Sequence, residues 1–133
     1  MATFNLQIVT PDKLFFDEEV EMIVVRTTEG DVGILKNHTN YVAPLDIGVL
    51  KIKKNGSFKE ATLAEGFIQV DKEKATIVTE AAEWPMDIDI ERAKKAKERA
   101  EAIINRKISN LEMDMAEVKL RKAINRIRMA KGD

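Results

Sequence analysis

The sequence predicts an α+β fold in two parts, an N-terminal β-sandwich or barrel followed by a C-terminal antiparallel two-helix hairpin. Residues 1–84 carry short runs that alternate apolar and polar with period two, broken by turn signals every 8–12 residues or so, as in sandwiches and barrels. After Pro85 the composition changes abruptly to Ala, Lys, Glu, Arg and Ile, with no further Gly or Pro until Gly132. The charge changes with it. Up to Met86 there are 14 acidic and 9 basic residues, and beyond it 9 acidic and 13 basic, so a near-neutral chain of 133 residues hides an acidic front and a basic back. Two modules, 1–84 and 85–133, with different partners follow from that asymmetry.

Taken in order, Phe4-Asn5-Leu6-Gln7-Ile8-Val9 alternates as a strand and Pro11-Asp12 turns the chain. Val20-Glu21-Met22-Ile23-Val24-Val25-Arg26 reads as one β-branched, largely buried strand. Val49-Leu50-Lys51-Ile52-Lys53-Lys54 runs into Asn55-Gly56, a strong hairpin signal, and Phe58-Lys59-Glu60-Ala61-Thr62-Leu63 returns. A second hairpin joins Phe67-Ile68-Gln69-Val70 to Ala75-Thr76-Ile77-Val78-Thr79 through the turn Asp71-Lys72-Glu73-Lys74. Pro85 ends the pattern, because the residue before a proline is pushed into extended geometry. Helix propensity then dominates. Asp89 is placed to cap the first helix, whose apolar face repeats as Ala93, Ala96, Ala100 and Ile103. Ser109-Asn110-Leu111-Glu112 spells a capping box that starts a second helix, with Met113, Ala116, Leu120, Ala123 and Ile127 as its stripe. Two such helices bury too little to stand alone, so they must pack on something else.

Several function classes are excluded. With no cysteine there is no disulfide framework and no thiolate ligand or nucleophile. No apolar run reaches the roughly 20 residues that span a bilayer, and the start Met1-Ala2-Thr3-Phe4-Asn5 lacks the basic region of a secretory signal. The one histidine, His38, has no second His or Cys to share a metal. Ser57 falls in a hairpin turn and Ser109 at a helix cap, so no Ser-His-acid triad assembles. Gly30-Asp31-Val32-Gly33 is neither a P-loop nor a dinucleotide fingerprint. Nucleic acid is disfavoured too, because acids (Glu98, Glu101, Glu112, Asp114, Glu117) interleave the basic hairpin, and residues 87–133 contain no aromatic on which a base could stack.

One cluster remains. Glu83, Asp89 and Arg92 sit where the modules meet, and Lys122 and Arg126 lie one turn apart on the second helix. If the hairpin folds back, cations near a helix start can hold a phosphate while acceptors read a base amino group. The same set can equally be salt bridges that close the hairpin.

Three stretches resemble the epsilon subunit family of bacterial rotary (F-type) ATP synthases, and the likeness covers essentially the whole chain. Glu29-Gly30-Asp31-Val32-Gly33-Ile34-Leu35 with His38, continuing to Val42-Ala43-Pro44-Leu45, is similar to the family's Gly-Ile-Leu-Pro-x-His region, with Lys36 where proline is usual. Gly66-Phe67-Ile68-Gln69-Val70 resembles its last hairpin, with Glu65 where a glycine is common. Ile88-Asp89-x-x-Arg92-Ala93 resembles its nucleotide-binding motif. The resemblance implies a sandwich docked on the central rotor stalk between the gamma subunit and the c-subunit ring, with Glu29, Asp31 and His38 at the rotor interface. It implies a non-catalytic subunit that completes the coupling of ion flow and rotation to ATP synthesis, peripheral on the cytoplasmic face of the bacterial membrane and attached to it only through the complex. The C-terminal helices would either fold back or extend into the catalytic alpha/beta hexamer, inhibiting ATP hydrolysis when extended. No cofactor is required, but ATP is implied as a regulatory ligand, carried over onto Glu83, Ile88, Asp89, Arg92, Ala93, Lys122 and Arg126. At Lys122 the family's ATP binders have arginine, and lysine lacks its planar fork. A free-standing ATP-sensing protein, without the larger machine, is the competing expectation.

Overall fold

Alternating burial along most of the strands, rather than any one contact, builds the first part of the molecule. The computed structural model describes residues 2–106 and 109–132, and the chain divides into two compact units, Met1–Glu83 and Trp84–Asp133.

The first unit contains β1 (Phe4–Val9), β2 (Leu14–Val20), β3 (Met22–Thr27), β4 (Gly30–Leu35), β5 (Tyr41–Leu45), β6 (Gly48–Lys54), β7 (Ser57–Leu63), β8 (Gly66–Val70), β9 (Lys74–Thr79) and β10 (Ala82–Glu83). Their hydrogen-bonded order is β10-β7-β6-β3-β5-β8-β9-β1-β2, with β4 on the side of β3. A single residue pair, Thr27 with Leu45, joins β3 to β5, which is where the path turns from one layer of the sandwich to the other. Leu6, Ile8, Ile23, Val25, Leu50, Ile52, Ile68 and Ile77 are all fully buried. They come from strands of both layers, as sandwich packing requires.

Both expected hairpins form. In the β6–β7 turn Asn55 and Gly56 have φ of 52° and 77°, the left-handed pair that a two-residue turn of matching twist demands. In the β8–β9 turn the Asp71 carboxylate accepts from the Glu73 and Lys74 N–H groups, both at 2.9 Å. Elsewhere the structure departs from expectation. The segment 20–26 is not one strand, because Val20 and Ile23 are both buried yet lie an odd number of residues apart, which period two cannot satisfy. The chain breaks at Glu21, whose N–H donates to the Lys53 carbonyl at 2.8 Å. Gly33 stands within β4 opposite Val24, and of Gly30 and Gly33 only Gly30 has positive φ (119°). Strand β5 contains Pro44, which the ladder tolerates because it is opposite Phe67 of β8 with no second partner strand at that residue.

The second unit opens with a 3₁₀ turn at Pro85–Asp87, preceded by Trp84 in extended geometry, and continues as α1 (Ile90–Arg106) and α2 (Asn110–Lys131). Asp89 caps α1, its carboxylate accepting from the Arg92 N–H at 3.1 Å. Ser109 caps α2 by accepting from Glu112 N–H at 3.1 Å, and Gly132, left-handed at φ 78°, closes it. The two helices pack on each other. Ala93, Ala100, Ala116 and Ala123 are fully buried, while the other stripe residues are half-buried. Four buried methyl groups stabilise by only about 3 kcal/mol in total, so the small-residue seam gives close approach but modest cohesion. No described helix is long and apolar enough to cross a membrane.

Candidate functional site

Within the helical unit, the antiparallel pairing of α1 and α2 leaves a groove of about 290 Å³. Alanines floor it, Ala100 and Ala123 among them, and Arg99, Lys119, Lys122 and Arg126 line it. Lys119, Lys122 and Arg126 fall at i, i+3 and i+7 on one face of α2, and Arg99 comes across from α1. Of the residues singled out in the sequence, Lys122 and Arg126 are thus brought together. Asp89, the cap of α1, and Arg92 and Ala93, in its first turn, lie outside this lining; Ala93 is fully buried and Ile88, just before the cap, is nearly so. Glu83 belongs to the other unit, in β10 opposite Thr62, and its carbonyl accepts from the Thr62 hydroxyl at 3.4 Å. Arg99 and Lys119 were missed in the sequence. The signal for Lys119 was its helical spacing from Lys122 and Arg126; for Arg99 it needed the register of one helix on the other.

In the sandwich, Glu29 and Asp31 sit at the β3–β4 turn. The Thr27 hydroxyl, buried, donates to the Gly30 carbonyl at 2.8 Å and accepts from the Glu29 N–H at 3.1 Å, which holds the turn. Arg26 grips Asp31 at two points, Nε to Oδ1 at 2.6 Å and Nη2 to Oδ2 at 3.3 Å. The Arg26 hydrogen bond holds the Asp31 carboxyl below the usual aspartate range, and the same bond raises Arg26. His38 follows Leu35 at the far end of the hairpin. Its Nδ1–H donates to the Thr39 carbonyl at 2.7 Å, and its ring meets Tyr41 edge-on, centroids 5.8 Å apart. Five strand steps of about 3.3 Å put roughly 16 Å between the two ends. Glu29 and Asp31 therefore form one group and His38 another.

A feature invisible in the sequence lies on the outer face of the β5-β8-β9-β1-β2 layer. Pro44 stands opposite Phe67, Phe67 opposite Val78, and Val78 opposite Val9 in the parallel β9–β1 pair. Beyond a register shift, Val9 faces Leu14. Phe67 is 44% and Leu14 54% exposed. Strands spaced about 4.8 Å apart make this an apolar band roughly 19 Å long, of the kind that marks a contact surface rather than scattered exposure. Among the described residues no group of three His, Cys, Asp or Glu could hold a metal ion.

Comparison with known proteins matches both units. Residues 3–85 fit the model of the ATP synthase delta/epsilon chain β-sandwich domain, and residues 86–131 that of the delta/epsilon long α-helix domain. The chain is 53% identical over 130 residues to the ATP synthase epsilon chain of Alkaliphilus metalliredigens, covering 98% of this chain and 97% of that one. It is 45% identical to that of Caldicellulosiruptor bescii, covering 98% and 95%. Among solved structures, a chain in the Euglena gracilis mitochondrial ATP synthase superposes with a TM-score of 0.80 at 26% identity, over 94% of this chain and 79% of that one. A chain in the central stalk and c-ring structure of the Tetrahymena thermophila enzyme shares the fold, at a TM-score of 0.68 and 14% identity over 97% of both.

Proposed function

The chain belongs to the ATP synthase delta/epsilon family, as an epsilon subunit of the F-type enzyme, and from that membership we infer that it is a non-catalytic rotor component that docks on the gamma subunit and couples ion-driven rotation to ATP synthesis. The observation that carries the docking is the apolar band Pro44–Phe67–Val78–Val9–Leu14. A sheet face with exposed Phe67 and Leu14 stabilises a complex by being covered and contributes nothing while wet. The Euglena gracilis chain of similar fold, at 26% identity, comes from an OSCP/F1/c-ring structure, which supports membership of such a complex here.

On this reading the charged β3–β4 turn, with Glu29 and Asp31, is the end turned to the c-subunit ring. An interface that also includes His38 runs along β4, which among the described residues pairs only with β3. The helical hairpin is the regulatory part. Its seam, in which only alanines are fully buried, is weak enough to open, and its basic second helix is complementary to acidic surfaces of the catalytic hexamer. ATP held by Ile88, Asp89, Arg92, Ala93, Lys122 and Arg126 would favour the folded hairpin by binding that state better.

The test is reconstitution. Adding the purified chain to an F-type complex stripped of this subunit should restore ion-coupled ATP synthesis and lower uncoupled hydrolysis. A complex whose coupling and hydrolysis are the same with and without the chain contradicts the proposal.

A further inference from the structure

We propose that Asn55 is a latent site of spontaneous deamidation, and that the Glu21 carboxylate suppresses the reaction by holding the nitrogen that would attack. Asn55 is exposed at the tip of the β6–β7 hairpin and is followed by Gly56, whose lack of a Cβ leaves the asparagine side chain open to attack from the next backbone nitrogen. That nitrogen is not free. The Gly56 N–H donates to Glu21 Oε1 at 3.1 Å. Glu21 is itself anchored to the hairpin, because its own N–H donates to the Lys53 carbonyl at 2.8 Å. The break between β2 and β3 at Glu21 thus fixes a carboxylate over the turn. Its other oxygen, Oε2, is buried without a hydrogen-bond partner, so among the described residues the contact to Gly56 is the one hydrogen bond this side chain makes.

Deamidation begins when the Gly56 nitrogen loses its proton and attacks Asn55 Cγ. The new N–Cγ bond closes a cyclic succinimide, the Cγ–Nδ2 bond breaks, and ammonia leaves. Water then opens the ring, giving aspartate if it adds at Cγ and isoaspartate if it adds at the main-chain carbonyl. One water is consumed and one ammonia released, with no oxidation or reduction. A carboxylate against the N–H opposes the first step in two ways. The hydrogen bond stabilises the protonated nitrogen, and the negative charge repels the anion that deprotonation would create. The protection matters because isoaspartate adds a carbon to the main chain inside a tight turn whose residues have φ of 52° and 77°. That turn sets the register in which Ile52 pairs with Lys59 and Leu50 with Ala61, and Leu50, Ile52 and Ala61 are fully buried.

Incubating the full chain at mildly alkaline pH, with peptide mass spectrometry of the Asn55-Gly56 segment, tests this for wild type, Glu21→Gln and Glu21→Ala. Glu21→Gln keeps the size and an acceptor but removes the charge, so it should deamidate faster than wild type. Glu21→Ala should be faster by about tenfold or more, the size of one hydrogen bond to a charged group. Unfolded in guanidinium, all three should share one higher rate. Hydrogen exchange of the β6 and β7 amides should stay unchanged in Glu21→Gln, as expected if the turn still forms. Variant rates equal to or below wild type overturn the proposal, as does a folded wild type that deamidates as fast as the unfolded chain. Acceleration found only together with faster exchange along β6 and β7 assigns the protection to the hairpin as a whole and also overturns it.

Discussion

The Asp89 carboxylate accepts the Arg92 backbone N–H at 3.1 Å, closing the first turn of α1. The residue proposed to meet a nucleotide is thus also a helix cap, and the two roles separate by substitution. Asp89→Asn keeps the cap and should leave α1 intact, while Asp89→Ala should cost about 1 kcal/mol of local stability. Hydrogen exchange of the α1 amides checks both. Nucleotide binding lost in Asp89→Asn with exchange unchanged assigns the side chain to the ligand; binding retained assigns it to the cap.

The alanine seam sets the strength of the hairpin. Ala116 is 1% exposed, and Ala116→Leu inserts a side chain where close approach leaves no room. Overpacking of this kind typically costs about 1–3 kcal/mol, comparable to the whole methyl contribution of the seam. The variant should show faster proteolysis within α1 and α2 while the sandwich stays protected.

Gly66 is the tightest point of the β8–β9 hairpin. A Cβ built there would lie 1.9 Å from the Val78 carbonyl oxygen, a backbone atom that cannot swing away. Gly66→Ala should destabilise the sandwich by about 3 kcal/mol or more, read as a shift of the urea midpoint. An unchanged midpoint would mean that the two strands separate more easily than their register implies.

The Arg26–Asp31 pair gives a pH signature. Because the folded Asp31 pKa lies below its unfolded value, its contribution is fully present above the ordinary aspartate pKa. It is lost as pH falls through the lower folded value. Both side chains are about half exposed, so the contribution is about 0–1 kcal/mol. Asp31→Asn should therefore lower stability slightly at neutral pH, and the difference from wild type should vanish in acid below the aspartate range. Urea unfolding across that range measures it.

How much was legible in the sequence follows the range of the interactions. Asn55-Gly56, Asp71, Asp89 and Ser109 act on neighbours within a few residues, and their turns and caps form where expected. Strand β4 was obscured because two glycines, Gly30 and Gly33, interrupt any apolar alternation, although only Gly30 has positive φ. Strand β5 was hidden by Pro44, whose missing N–H matters only on a side that pairs. The break at Glu21 follows from which residues face inward, which a run of apolar residues does not reveal. The apolar band requires Val9 beside Val78 in a parallel pair, a contact across most of the sandwich. Arg99 in the groove likewise depends on how α1 lies against α2.

The most direct measurement is the stoichiometry of a mixture of the purified chain with the gamma subunit in its catalytic complex, read by native mass spectrometry for wild type and for Phe67→Asp with Val78→Asp. A one-to-one complex with wild type, lost in the folded double variant, is the predicted result. A wild-type chain that remains monomeric in the presence of gamma, or a variant that binds as tightly as wild type, would contradict the account.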